Sequence, residues 1–116
     1  MTNLIRAEKT VNFPNNVSYK AKMSLDTMLQ IETAIGVSFY KTAQKLGTGD
    51  LTLSEIITII TLAIRSGGND IDDKEVKRLV SQIGFQKAIV IVGDLLALAL
   101  NSGEEEMSEQ EKKSES

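Results

Sequence analysis

The sequence predicts a small α+β domain that is mostly helical. It comprises an N-terminal β-hairpin over residues 4–23, about five short helices over residues 24–102, and a disordered acidic tail. Three observations support this fold class. Apolar and polar residues alternate near the N-terminus, which is typical of half-buried strands. From residue 24 onward the apolar residues follow a helical period instead. Four of the helical segments are also preceded by a serine, threonine or aspartate that can act as an N-cap.

Two alternating segments separated by Pro14-Asn15-Asn16 predict the hairpin. One face of the first segment carries Ile5, Ala7, Val11 and Phe13. One face of the second carries Val17, Tyr19, Ala21 and Met23. Proline fixes φ where the turn begins and asparagine tolerates positive φ, so the two segments are expected to pair as antiparallel strands.

Two short helices are expected next. Ser24 and Gly36 are a suitable N-cap and C-cap for the first helix. Its inward face is predicted to consist of Leu25, Met28, Leu29 and Ile35. Ser38 can cap the second helix, which should end near Gly49. The predicted inward residues of the second helix are Phe39, Tyr40, Ala43 and Leu46.

Capping boxes mark the start of the third and fourth helices, at Thr52-x-x-Glu55 and Asp72-x-x-Glu75. The third helix is apolar over most of its surface, which is typical of a helix at the centre of a domain or at an obligate interface. The fourth helix should bury Val76, Leu79, Val80 and Ile83. A fifth, nearly all-apolar helix is expected over residues 85–100.

Length and charge predict one domain over residues 1–103 followed by the tail over residues 104–116. A chain of 116 residues supports one hydrophobic core. The tail holds six of the 16 acidic residues and few apolar ones, so disorder is expected there. The remainder is close to neutral, with eleven basic and ten acidic residues, which argues against a nucleic-acid partner.

Several function classes are disfavoured by composition. The chain has no cysteine and no histidine, so it lacks the usual nucleophile, base and soft metal ligands. No cofactor is expected. The most apolar segment, residues 88–100, is shorter than the ~20 residues that span a bilayer, and no signal peptide is evident. A soluble protein in the cytoplasm, without membrane contact, is therefore expected.

The polar motifs favour structural roles over catalysis. Residues 44–55 have the outline of a calcium loop, but its first, third and fifth positions lack carboxylates. The acidic residues near 70–75 are explained by helix capping. Asp94 interrupts an apolar helix and is expected to face solvent or to pair with Lys87 or Lys41. A metal-dependent hydrolase using Asp70, Asp72 and Asp94 is the enzymatic alternative, and we expect no enzyme.

Apolar helical surface is the most suggestive functional feature. The third and fifth helices carry more of it than one small domain needs, so we expect a homo-oligomer and protein partners. The predicted partner-binding residues are Ile56, Ile60, Ile64, Ile89, Val92 and Leu96. Two hairpin lysines, Lys20 and Lys22, are added because opposite charges at the two ends of the chain could steer association. A solvated strand face is the simpler explanation of the lysines.

Together these features resemble the tail assembly chaperones of long-tailed bacteriophages and gene transfer agents. Those proteins begin with a hairpin, followed by a helix with a hydrophobic-Glu-x-x-hydrophobic-Gly ending, which corresponds to Ile31, Glu32 and Ile35-Gly36 here. The order then continues through Asp50-Leu51-Thr52, an apolar helix, Asp70-Ile71-Asp72 and a hydrophobic last helix. The resemblance covers residues 11–100.

The resemblance implies a non-enzymatic assembly factor in the cytoplasm of a bacterial host. It would bind the tape measure protein, recruit tail tube protein and be absent from the finished particle. The alternative is a tail tube or head-tail joining component that stays in the virion. A tube subunit is expected to be β-rich, whereas only about 20 residues here are predicted as strand.

Overall fold

The computed structural model describes the backbone of residues 8–115 and the side chains of residues 8–101. Two strands, β1 (Glu8–Phe13) and β2 (Val17–Lys22), come first. Five helices follow in this part of the chain: α1 (Leu25–Ile35), α2 (Phe39–Thr48), α3 (Leu53–Ser66), α4 (Asp73–Ile83) and α5 (Phe85–Glu115). The predicted fold class, a hairpin followed by about five helices, is confirmed.

The hairpin has the predicted turn and register. Strands β1 and β2 are antiparallel, with Val11 opposite Tyr19. Asn15 and Asn16 have φ of 64° and 60°, the left-handed conformation that asparagine tolerates. The ring of Phe13 meets that of Tyr19 edge to face at 6.2 Å between centroids. Residues 4–7, predicted as the start of the first strand, lie outside the described residues.

The capping predictions for α1 and α2 hold. The hydroxyls of Ser24 and Ser38 accept from backbone N–H groups three residues later, and Gly36 adopts the left-handed conformation that ends α1. The carboxylate of Glu32 accepts from the backbone N–H of Phe39 at 2.7 Å. This bond gives the glutamate near the end of α1 a structural role, because it satisfies an amide that the first turn of α2 leaves without a partner.

The inward faces predicted for α1 and α2 need correction. Leu25 and Leu29 are 71% and 51% exposed, and Tyr40 is 71% exposed. Phe39 is buried as predicted, and the other residues of the two predicted faces are partly buried against the core. The buried residues that the prediction missed are Thr27, Ile31 and Thr42. Each threonine lies on the core side of its helix, and Thr42 satisfies its hydroxyl by donating to the carbonyl of Ser38. A burial criterion that counts only apolar residues misses such positions.

Helix α3 is the centre of the domain, as its nearly continuous apolar surface predicts. It packs against α1, β2, α4 and α5. Ile59, Ile60, Ala63 and Ile64 are fully buried. Thr61, one of the few polar residues of this helix, is buried as well and donates its hydroxyl to the carbonyl of Ile57 at 2.8 Å.

A close backbone contact joins the end of α3 to the hairpin. A Cβ at Gly67 would lie 1.9 Å from the carbonyl oxygen of Lys20, so β2 runs directly against this glycine. The side-chain amide of Asn69 donates to the carbonyl oxygens of Lys20 and Ile64, at 2.8 and 3.0 Å. These bonds fix the position of the hairpin on α3.

Helices α4 and α5 meet at the single residue Gly84 with a bend of 118°. No one helix in the described residues is long and apolar enough to span a membrane, and the pair passes that test only when its two helices are added together across the bend. Helix α5 reaches Glu115, further than the predicted end near residue 102. The acidic stretch 104–116 has no described side chains, so its predicted disorder stays a prediction.

Candidate interaction surface

An apolar groove lies at the junction of α3, α4 and α5. Its volume is about 590 Å³. Helix α3 contributes Leu53 and Ile57, helix α4 contributes Val80, and Phe85 opens α5 beside them. The one-residue connection at Gly84 turns the chain sharply, so that the end of α4 and the start of α5 lie side by side along the groove. The groove can accept the apolar side chains of a protein segment.

Two large apolar side chains stand at the edges of the groove. Leu53 is 58% exposed and Phe85 is 45% exposed. Both lie at the first position of a helix, one turn before its first buried residue, which is Ile56 in α3 and Ala88 in α5. Asp73 and Lys77 add one charge of each sign to the lining. The rim can therefore orient a polar partner group while the floor buries apolar surface.

A half-buried ion pair holds the groove end of α3 in place. The ammonium of Lys45 donates to Glu55 Oε2 at 2.7 Å, and the backbone N–H of Thr52 donates to Glu55 Oε1 at 2.9 Å. The hydroxyl of Thr52 accepts from the N–H of Glu55, which completes the predicted capping box. The hydrogen bond from Lys45, followed by that from Thr52, holds the pKa of Glu55 below its ordinary value.

Glu55→Gln should lower the stability of the domain at pH 7 by about 1 kcal/mol, since the glutamine keeps the capping acceptor but loses the charge that Lys45 binds. Because the pKa of Glu55 is lowered by folding, its carboxylate stabilises the domain above the ordinary pKa, and this contribution is lost as the pH falls through the folded-state value. Urea midpoints at pH 7 and pH 3 measure the difference.

The pH dependence distinguishes this pair from a general loss of packing. The stability gap between Glu55→Gln and the unmodified chain should narrow at pH 3. In a Lys45→Gln background the substitution should cost less at pH 7, because the partner charge is already gone. An equal gap at both pH values would contradict the assignment.

A second apolar patch lies between α1 and α3. Leu29 and Ala34 of α1 and Leu62 of α3 line a shallow depression of about 340 Å³. Leu25 adds exposed apolar surface on α1, one turn before Leu29. Two of its residues, Leu25 and Leu29, are ones that the sequence predicted to face the core, and the patch is a secondary candidate for partner contact.

Most of the predicted partner-binding residues are core residues. Ile56, Ile60, Ile64, Val92 and Leu96 are at most 2% exposed, and Ile89 is partly buried. A side chain enclosed by its own domain cannot contact a partner while the domain stays folded, so the prediction is corrected for the first five. Their apolar character reflects the close packing of α3 and α5 on each other and on their neighbours.

The hairpin lysines lie near the surface. Lys20 is exposed and its ammonium lies 3.6 Å from the carboxylate of Glu8. Lys22 is half-buried, in a polar depression that also includes Arg65 and Asp26. Neither lysine lines the apolar groove, so the hairpin and the groove are separate surfaces of the molecule.

The acidic motifs have structural partners. Asp72 caps α4 by accepting from the N–H of Glu75. Asp94 pairs with Lys9 at 3.4 Å, not with the two lysines that the sequence suggested, and it joins α5 to β1. Within residues 8–101, no three acidic side chains are close enough to hold a metal ion together.

Sequence reasoning missed the groove because it weighed apolar stripes and not helix ends. Leu53 and Phe85 directly follow the N-cap positions of α3 and α5, and each precedes the first buried residue of its helix by one turn. A large apolar residue at the first position of a helix, next to a capping residue, was the available signal.

One protein family matches the chain over most of its length. The model of the family described as "Phage tail tube protein, GTA-gp10" aligns with residues 6–102. The match includes both described strands, helices α1 to α4 and the core-packed part of α5. No curated protein and no solved structure is significantly similar to the chain. A match of this extent establishes the relationship, and the chain belongs to this family of phage tail proteins.

Proposed function

We propose that this phage tail protein acts at the tail tube, in the cytoplasm of the bacterial host where tails are built, by binding other tail proteins and not by catalysis. The family match supports the place of action. The apolar groove between α3, α4 and α5 supports the mode of action, because it leaves Leu53 and Phe85 accessible to another protein. The absence of histidine and cysteine from the sequence agrees with a non-enzymatic role.

A component of the tail tube is the first candidate role. The description of the family names a tail tube protein, and the match spans residues 6–102. In this role the exposed apolar surfaces would be covered by neighbouring subunits in the assembled tube, and the protein would be found in the finished particle at a fixed ratio to other tail proteins.

A tail assembly chaperone is the second candidate role, and the architecture favours it. A tube wall built from β-sheets needs subunits rich in strands, whereas the described residues contain one sheet of two strands and five helices. A chaperone would use the groove to bind an apolar helical segment of the tape measure protein, as helix-in-groove recognition does elsewhere. It would then be released before the tail is complete.

The composition of finished particles separates the two roles. Particles purified from a lysate of cells that express the complete tail gene set are analysed by quantitative mass spectrometry, together with the lysate itself. A tube component should be present in the particles at many copies per tail. A chaperone should be abundant in the lysate and absent from the particles. Absence from both tail complexes and assembly intermediates would overturn the proposal as a whole.

The groove predicts a specific loss of binding. Leu53→Asp should weaken co-purification with the tape measure or tail tube protein by at least about tenfold, because a carboxylate would have to be buried against the apolar partner. Phe85→Ala should act in the same direction through lost contact area. Titration of the purified partners, followed by calorimetry, measures the change.

Val90→Asp provides the matched control. Val90 is 61% exposed, similar to Leu53, but it does not line the groove. The Val90→Asp variant should bind the tape measure or tail tube protein with an affinity within about twofold of that of the unmodified chain. Equal losses for Leu53→Asp and Val90→Asp would show that the groove is not the binding surface, provided that both variants keep their helical circular dichroism.

A further inference from the structure

We propose that the partner of α5 can be a second copy of this chain: Gly84 acts as a hinge at which α4 and α5 straighten, so that two chains exchange residues 85–101 and form a domain-swapped dimer. Each α5 would then pack on the core of the other chain in the place that its own α5 leaves. The inference rests on the geometry at Gly84 and does not depend on the role proposed above.

The hinge consists of one residue in a conformation that glycine alone adopts readily. Gly84 has φ of 89° and ψ of 159°, and the two helices on either side of it differ in direction by 118°. A Cβ at this position would meet no atom within 4 Å. The bend is therefore maintained by the backbone conformation of Gly84 and by the packing of α5, and the space beside Gly84 is open.

Helical hydrogen bonding nearly continues through the bend. The N–H of Gly84 donates to the carbonyl of Val80, and the N–H of Ala88 donates to the carbonyl of Gly84, both with the spacing of an α-helix. Straightening would add the three bonds between these two, from the N–H groups of residues 85–87 to the carbonyls of residues 81–83. A continuous helix thus satisfies more of the backbone than the bent form does.

Apart from Gly84 itself, local sequence signals do little to favour the bend. Gly84 stands where an N-cap side chain for α5 would be, and it has no side chain to accept from the first turn. The first turn of α5 has no acidic residue, and the last turn of α4 has no basic one, so neither helix dipole is compensated there. What holds the bend is the burial of the apolar face of α5.

That burial explains why a second copy is the occupant. Five residues of α5 are at most 2% exposed: Ala88, Val92, Leu95, Leu96 and Ala99. A straightened single chain would expose this face and leave an empty site on α3, which is strongly unfavourable. A second chain buries the exposed face of α5 and fills the empty site on α3 at the same time, because the α5 helices of the two chains carry the same side chains. Short hinges under strain are a known route to such exchange.

Gly84→Ala is the first test. Alanine disfavours the bent conformation and favours a continuous helix, so the association constant for dimers should rise about tenfold or more in the full-length chain. Sedimentation velocity over a range of concentrations, after refolding at high concentration, measures it. The control is Gly36→Ala. Gly36 also has a positive φ and no atom within 4 Å of a Cβ, but the helices on its two sides are separated by three residues and would not become continuous.

A cross-link between chains identifies the exchange itself. The ammonium of Lys9 in β1 lies 3.4 Å from the carboxylate of Asp94 in α5. Along the sequence, Lys9 precedes the hinge and Asp94 follows it. The natural sequence has no cysteine, so Lys9→Cys and Asp94→Cys, made in separate chains with tags of different size, supply one thiol each. The two variants are refolded together and treated with a short bismaleimide.

A covalent heterodimer linked through positions 9 and 94 is expected, and its yield should rise in the Gly84→Ala background. Dimers that form without this cross-link would overturn the proposal in favour of an ordinary surface contact. A folded monomer at every concentration would also overturn it. If Gly84→Ala fails to fold, the same cross-linking of otherwise unmodified chains decides. Insertion of two glycines after Gly84, which relaxes the hinge, should lower the heterodimer yield.

Discussion

Gly67→Ala should destabilise the domain by about 3 kcal/mol or more, although glycine to alanine is among the smallest changes a sequence can undergo. The added Cβ would lie 1.9 Å from the carbonyl oxygen of Lys20 and 2.6 Å from its carbonyl carbon. Both are backbone atoms of β2, which cannot rotate away as the end of a flexible side chain could. Either the hairpin or the end of α3 must shift.

Moving β2 or the end of α3 would cost more stability than the steric contact with the new Cβ alone. The amide of Asn69 bonds to the same carbonyl oxygen of Lys20, and Ala21 beside it is fully buried. Moving β2 away from α3 therefore lengthens a hydrogen bond and loosens apolar packing along the strand. Thermal and urea unfolding should both report the loss, with the melting temperature lowered by about 10 °C or more.

Gly47→Ala is the matched control for this prediction. Gly47 lies within α2, and a Cβ there would meet no atom within 4 Å. Alanine is the better helix former, so this variant should be neutral or more stable by up to about 1 kcal/mol. The backbone of Gly67 itself has φ of −77°, which alanine adopts freely, so any loss in Gly67→Ala is steric. Unchanged stability in Gly67→Ala would contradict the close contact.

Gly67 also illustrates what sequence reasoning could and could not reach. The Gly67-Gly68 pair is a local signal for the end of a helix, and α3 does end at Ser66. Nothing in the local pattern indicated that β2, more than 40 residues earlier, runs against this glycine. Local rules describe the ends of elements, whereas which element approaches which glycine depends on the packing of the whole domain.

The elements themselves were predictable because their ends are set by local chemistry. Ser24, Ser38, Thr52 and Asp72 are N-caps as expected, and each accepts from an amide of its own helix. The Asn15-Asn16 turn follows from the tolerance of asparagine for positive φ. In each case a side chain satisfies a backbone group a few residues away, so no knowledge of distant contacts is needed.

The functional surface was harder to predict because it depends on which apolar residues remain outside. Ile60 and Leu53 are both large aliphatic residues on α3, yet one is fully buried and the other is 58% exposed. The difference comes from the neighbours of α3 on several sides, and it is not encoded in the pattern of α3 alone. Three of the large exposed apolar residues in the described part of the chain, Leu25, Leu53 and Phe85, stand at the first position of a helix.

Ile60→Ala should lower the free energy of unfolding by about 2–5 kcal/mol, the range for removing most of a buried isoleucine side chain. Ile60 has no exposed surface and lies on the helix that contacts α1, β2, α4 and α5. A cavity at this position cannot be filled by movement of one neighbour alone, since the surrounding elements also pack on each other. Urea unfolding followed by circular dichroism measures the loss.

The same variant tests whether Ile60 is a core residue or a partner contact. If Ile60 belongs to the core, tape measure or tail tube binding by Ile60→Ala should fall only in proportion to the folded fraction, and conditions that restore folding should restore the affinity. Leu53→Ala should behave in the opposite way, with stability within about 0.5 kcal/mol and weaker binding. Full stability of Ile60→Ala together with lost binding would mean that Ile60 is reached by a partner, and that the domain opens along α3 when it binds.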